Sequence, residues 1–297
     1  MLDVKSARAE CEAIVLRCGA GEVSPPVALM QMLIATEDER LVADVVRART
    51  ASSARAAELA RLLDEHAHGC ARITAMLRSD MDTPAPHATV DEGVAFARRL
   101  FDWSVQQSEE ASVALYSLGD PSLLAAATSE IVELFDAWGL LGERRAVLDV
   151  GCGIGRLEVA LAPRVGQIHG IDVSEQMVAA ARRRCVGLAN VTLSVGSGFD
   201  LADVGDGAVD LVIAVDSFPY LVQSGMPLVA THFAEARRVL RPAGDLVVLN
   251  FSYRGDALRD RQDVASLSRD HGFDVRVEGA TPFTLWDGVA FRLVKCA

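Results

Sequence analysis

Apolar residues recur at three- and four-residue spacing over the first 140 positions, then gather into short runs split by polar stretches. The first rhythm is helical and the second is that of alternating strands and helices. Val4, Cys11, Ile14, Val15 and Cys18 share one helical face. Ser24 before Pro25 and Pro26 predicts a capped start, since proline at the first helical position gives up only an N–H that has no partner there. Thr36 and Glu39 have capping-box spacing and predict a helix through Val45 and Val46. One longer helix is expected to carry Leu59, Leu62, Leu63, His66, Cys70, Ile73 and Leu77 as its stripe. Residues 80–89, with two prolines, read as a linker. Thr89 and Glu92 repeat the capping-box spacing, and Asp120-Pro121 opens a helix that Gly139 stops.

Beyond residue 142 the β-rich runs are "AVLDV", "QIHGIDV", "VTLSV", "AVDLVIAV" and "DLVVLNF", with amphipathic segments such as "SEQMVAAARRR" between them. Alternation of this kind predicts a parallel sheet covered on both faces. Two last runs, "FDVRVEG" and "GVAFRLVKC", are expected to add an antiparallel edge. The predicted architecture is α/β: a Rossmann-like, doubly wound, mostly parallel sheet with an antiparallel C-terminal edge, preceded by an all-α region. Its expected divisions are a helical domain at 1–88, a helical lead-in or lid at 89–145 and the α/β domain at 146–297.

Composition narrows the function. With 51% hydrophobic and 24% charged residues in 297, the chain can bury a full core. A formal net charge of −12 argues against nucleic acid, which needs a basic face. Arg182, Arg183 and Arg184 fall late in a predicted helix, where cations complement its dipole. Six cysteines without a C-x-x-C pair fit a reducing cytoplasm. Neither a signal-peptide pattern nor an apolar run long enough to cross a bilayer is evident, so a cytoplasmic protein without a membrane partner is expected.

The stretch "VLDVGCGIGRL", residues 147–157, poses the chemical question. A phosphate-binding P-loop would need lysine after the glycines, and none follows. A dinucleotide site would need glycine at 156, where Arg156 would crowd helix–strand packing. An NAD(P)-dependent oxidoreductase is therefore the weaker reading, and a non-catalytic docking protein is a third. Asp149-x-Gly151-x-Gly153-x-Gly155 resembles the first motif of class I S-adenosylmethionine-dependent methyltransferases. Asp172, closing "HGIDVS", stands where that family binds the ribose hydroxyls. "VGSGFDL" occupies the place of the family's Gly-Asp-Ala, with Ser197 where the acid is usual. "RRVLRPAGDLVVLNF" resembles its L-x-P-G-G element, with Ala243 for the first glycine. The resemblance covers 146–297 and implies S-adenosyl-L-methionine held by Asp149, Gly151, Gly153, Gly155, Asp172, Val173, Met177, Ser197, Gly198 and Val215. Cys152 reads as a small residue in a tight turn.

On the substrate side, "DSFPYL" resembles the [N/D/S]-P-P-[Y/F] motif of methyltransferases acting on planar amines, without its first proline. Asp216, Tyr220, Tyr116 and His232 are the candidates for substrate chemistry. The expected function is methyl transfer to a small molecule, an amine being favoured because no His/Asp base pair appears. O-, S- or C-methylation is the alternative. His66, His68 and Cys70 lack zinc spacing, so no metal is expected. The N-terminal helices are expected to shape the substrate pocket or to pair two subunits.

Overall fold

Ser24 Oγ accepts the Val27 N–H at 3.4 Å, and helix α2 (Pro25–Thr36) begins there as its sequence predicts. In the computed structural model, which describes residues 4–79 and 89–296, two compact units are formed. One comprises Met1–Pro84, Ser104–Glu130 and Phe283–Asp287; the other comprises Ala85–Trp103, Ile131–Pro282 and Gly288–Ala297. These units differ from three consecutive segments cut at 88 and 145. Residues 80–88, most of the predicted linker, lie outside the described residues.

In the first unit α1 (Val4–Ala20) buries Cys11, Ile14, Val15 and Cys18, as its spacing implies. The Thr36–Glu39 expectation shifts by two residues. Thr36 ends α2, its Oγ1 bonding back to Met32 O at 2.9 Å, and Asp38 caps α3 (Glu39–Arg49) by accepting Arg40 N–H and Leu41 N–H. A carboxylate reaches two orphan donors where the threonine would satisfy one. The single long helix is in fact two, α4 (Ala54–Glu65) and α5 (Ala67–Leu77), divided at His66. Gly69 then lies so close to Leu118 that a Cβ would sit 1.9 Å from its carbonyl oxygen. The stripe survives the break because both helices bury it, so spacing alone reads as one helix.

The segment Phe283–Asp287, between the last two strands, belongs to this unit. Trp286 is buried with its ring 6.2 Å from that of Tyr116 and 4.7 Å from that of Phe283. Ser24 Oγ donates to Leu285 O at 2.7 Å, and the Glu130 carboxylate accepts the Thr284 and Leu285 N–H groups.

The second unit is built on a seven-stranded sheet in the order β3-β2-β1-β4-β5-β7-β6. Its strands are β1 (Gly142–Val150), β2 (Val165–Asp172), β3 (Val191–Val195), β4 (Val209–Val215), β5 (Leu240–Leu249), β6 (Phe273–Ala280) and β7 (Ala290–Lys295). Neighbours among β1 to β5 run parallel, and β7 pairs antiparallel with both β5 and β6. Ala146, Leu148, Val212, Ala214, Leu246 and Val248 enter one core with Phe218, Phe233 and Phe251. Alternate residues on the other face, Val147, Leu211, Ile213, Val247 and Leu249, are buried too. Burial on both faces is why these strands read as continuous apolar runs. Strand order reverses between β1 and β4, which places a ligand crevice beyond their carboxyl ends. Among the described residues no helix is long and apolar enough to cross a membrane.

Candidate functional site

At the carboxyl end of β1 the chain turns through Gly151, whose φ of 86° belongs to the left-handed region that glycine enters without strain. Helix α9 (Arg156–Leu161) follows. Asp149, the last acid of β1, is 1% exposed, and Glu158 of α9 is 0% exposed. Their carboxyls face one another, and apart from each other neither has a hydrogen-bond partner. A bond between them requires one to carry the proton, since two carboxylates are acceptors only. Burial pushes Asp149 up to about 7, opposed by a hydrogen bond from Glu158 and by the charge of Arg156. Burial and the facing Asp149 hold Glu158 well above the usual carboxylic range. Gly170 of β2 makes room for the pair: a Cβ there would meet Glu158 Oε1 at 2.3 Å. The Cys152 thiol is raised first by burial and then by these acids, and stays protonated. It is the small buried turn residue that its place suggests.

Asp172 ends β2 and is 8% exposed. Its two oxygens accept Gly153 N–H and Ser174 N–H, both at 2.9 Å, which ties the glycine loop to the next strand. Burial raises it to about 6 against the pull of those donors. Helix α10 (Glu175–Arg184) starts at Ser174, whose Oγ accepts the Met177 N–H; Met177 itself is buried. Ser197 closes a local turn, accepting Phe199 N–H and donating to Asp200 Oδ1 at 3.0 Å.

The loop after β4 lies directly against the glycine loop. A Cβ on Gly151 would stand 2.5 Å from Ser217 Cβ, and Ser217 Oγ is buried without a partner. Beside it Asp216 takes φ 59°, uncommon for any residue but glycine. Asn250, just past β5, takes φ 63° and is clamped by Val289: its N–H and Oδ1 bond Val289 O and N–H, both at 2.8 Å. Its Nδ2 then donates to Asp216 Oδ1 at 2.8 Å, and Tyr253 OH donates to the same oxygen at 2.8 Å. The Tyr220 ring, in α11 (Phe218–Ser224), stands edge-on to Tyr253 at 6.2 Å and to Phe101 at 4.8 Å. A carboxylate bonded by one tyrosine, with two further rings packed in series behind it, is suited to a small, polar or cationic group.

Helix α6 (Val90–Gln107) belongs to the second unit as far as Trp103. Arg98 Nε donates to Val173 O at 3.2 Å, and Asp102 Oδ1 accepts Ser174 Oγ at 2.6 Å. Val94 packs on Gly198, and Gly93 approaches Ser224 so closely that a Cβ would be 2.3 Å from its Oγ. Thr89 Oγ1 accepts the Glu92 N–H at 3.2 Å, so the second capping box holds.

The structure therefore gathers Asp149, Gly151, Gly153, Gly155, Asp172, Val173, Gly198 and Val215 with Asp216 and Tyr220 at one end of the sheet. His232 is not among them as a reacting group. It lies in α12 (Met226–Val239), 4% exposed, with Nδ1 3.0 Å from Leu228 O, and burial keeps its ring neutral. Tyr116 is a buried residue of the helical unit, against Trp286. Sequence reasoning did not single out Glu158, Asn250, Tyr253, Phe101 or Asp102. A hollow of about 590 Å³ lined by Asp206, Arg237, Arg238 and Lys295 lies at the opposite, amino end of β4 and holds none of these groups.

Residues 147–244 match the family model described as a methyltransferase domain. A ubiquinone/menaquinone biosynthesis C-methyltransferase of Paraburkholderia phymatum is 32% identical over 123 residues, 40% of this chain and 49% of that one. A 2-methyl-6-phytyl-1,4-hydroquinone methyltransferase of Synechocystis is 33% identical over 131 residues, 43% of this chain and 39% of that one. The matched segment spans half or less of these relatives' own length. Phosphoethanolamine N-methyltransferase 1 of Haemonchus contortus, solved with phosphoethanolamine and S-adenosylhomocysteine, shares the fold: TM-score 0.55 at 17% identity, covering 71% of this chain and 50% of that one. The glycine loop, the acids closing β1 and β2 and this strand order make residues 147–244 a methyltransferase domain of the class I S-adenosylmethionine-dependent family.

Proposed function

We propose that the protein transfers a methyl group from S-adenosylmethionine to a small molecule, with an amine as acceptor. The observation that carries the acceptor class is the Asp216 carboxylate, fixed by Asn250 and Tyr253 beside the rings of Tyr220 and Phe101. The residues present suit the cofactor. Asp149, facing only Glu158, and Ser217 Oγ, without a partner, are buried at the glycine loop, and an acid there matches a ligand that carries an ammonium group. When bound, that cofactor supplies an electrophilic methyl group on a good leaving group.

What remains for the protein is alignment, and positioning alone can supply much of the acceleration. Asp149, Gly151, Gly153, Gly155 and Asp172 hold the cofactor's ends; Gly198 and α6 cover it. Asp216 orients the acceptor and takes the proton that an amine sheds after attack. The rings of Tyr220, Tyr253 and Phe101 favour the cationic product and exclude water. Two donors on Asp216 Oδ1 fix the carboxylate's direction before substrate arrives.

A second reading, C-methylation of a hydroquinone-like ring, draws on the quinone-pathway relatives. Asp216 would then take a phenolic proton. Incubation with S-adenosylmethionine and separate panels of small amines and hydroquinones distinguishes the two by mass spectrometry. The first reading expects a gain of one CH2 on amines. A gain only on a hydroquinone ring carbon would install the second.

A further inference from the structure

We propose that Glu158 is a positioning residue: it donates its hydrogen to Asp149, and binding of the cationic cofactor drives a proton off Asp149 into solvent. This rests on the cofactor reading above and adds a charge-controlled step to it.

The ground is geometric. Two carboxyls, 1% and 0% exposed, face each other under the glycine loop, and all four oxygens lack any other hydrogen-bond partner. Two buried carboxylates in contact without a counter-charge are too costly to persist, so the pair retains at least one proton. The surrounding groups reinforce this. Asp172, from β2, adds negative charge to both acids, and Asp102 of α6 adds more behind it. Cys152 and Cys185 are held protonated beside them. Arg156, on α9 with Glu158, acts on Asp149 as a cation. It favours ionisation of Asp149, while Glu158 keeps the remaining proton.

Burial pushes Asp149 up to about 7, so its proton is lost progressively as pH rises through neutrality. A cation beside it stabilises the ionised form and lowers that value. The charge balance is then simple. Asp149 passes from carboxylic acid to carboxylate, one proton goes to buffer, and the new negative charge meets the ligand's positive charge. Glu158 keeps its hydrogen throughout and holds the carboxylate facing the loop. By linkage, cofactor affinity should fall about tenfold per pH unit below about 7 and level off above it.

Calorimetric titration of the 297-residue protein with S-adenosylhomocysteine, whose amino-acid end carries the same ammonium group, reads this directly. At pH 6, buffers of different ionisation enthalpy should report proton release that approaches one per ligand, and the release should shrink as pH rises to 7.5. Glu158→Gln keeps a hydrogen-bond donor and should retain the wild-type affinity and pH profile. Glu158→Leu removes the donor, so Asp149 resists ionisation more strongly and the loss of affinity should reach above pH 7. Equal heats in all buffers, with flat affinity from pH 6 to 7.5, would overturn the proposal. So would Glu158→Gln behaving like Glu158→Leu, which would mean that the charge of Glu158 is needed and not its hydrogen. If Glu158→Leu does not fold, the wild-type buffer series and Glu158→Gln still decide. Absence of any binding by wild type at either pH would instead defeat the cofactor reading.

Discussion

Asp149 and Asp216 close neighbouring strands, β1 and β4, within one crevice, and they are opposites. Asp149 is buried, faces another acid and has no donor apart from it; Asp216 is half-exposed and receives two donors on one oxygen. The first is unsatisfied within the protein and gains when a cation arrives. The second is oriented in advance and gains from holding a partner in one direction. An unsatisfied acid suits binding, and a pre-oriented acid suits alignment of a reaction. Under the proposed function, the cofactor meets the first and the acceptor the second.

The largest break in that comparison should come from Asp216→Asn. With the geometry kept and the proton acceptor removed, kcat is expected to fall about 100-fold or more, the range of lost acid–base assistance. Steady-state kinetics check it; wild-type kcat would leave Asp216 as a turn residue. Asn250→Ala tests whether orientation matters apart from charge. Loss of a hydrogen bond to a charged group is worth about 1.5–3 kcal/mol, so kcat/KM should drop roughly 10- to 100-fold with cofactor affinity unchanged. An intact kcat/KM would show that Tyr253 alone suffices.

A smaller effect separates the two acids by stability. Asp149 has a raised value in the folded state, about 7 against an ordinary 3.8, so the folded protein binds more protons than the unfolded between those values. Stability from this group is therefore full below about pH 4 and is lost as pH rises through 7. Asp149→Asn should be more stable than wild type at pH 8, with the gap closing toward pH 4. Thermal melts of the ligand-free proteins measure it, and a gap that widens on acidification would reverse the assignment. The smallest effect is expected at Ala243, left-handed at φ 58° but outside both acids' surroundings. Ala243→Gly should raise stability by up to about 1 kcal/mol without altering kcat, since only backbone strain is relieved. A change in kcat would tie this turn to the crevice.

The glycine loop was legible because its chemistry is local: an acid, then glycines at alternate positions, within seven residues from Asp149 to Gly155. The strands were legible because burial on both faces makes them continuous apolar runs. Asn250 and Tyr253 were not, since they reach Asp216 from 34 and 37 residues away and polar residues after a strand carry no signal of their own. Glu158 was hidden differently. It occupies an ordinary place in a short helix, and only the cleared volume at Gly170 shows that it turns inward. His232 carried the reverse error: histidine in an amphipathic segment resembles a reactive group, yet its own helix satisfies it. The break at His66 left no mark because both daughter helices keep the same apolar spacing.

Calorimetric titration of S-adenosylmethionine into wild type, Asp149→Asn and Asp216→Asn at pH 7.5 tests the division of labour most directly. The account predicts that Asp149→Asn weakens binding roughly 10- to 100-fold, while Asp216→Asn stays within about threefold of wild type, under 0.7 kcal/mol. Loss of affinity in Asp216→Asn with Asp149→Asn unaffected would contradict it.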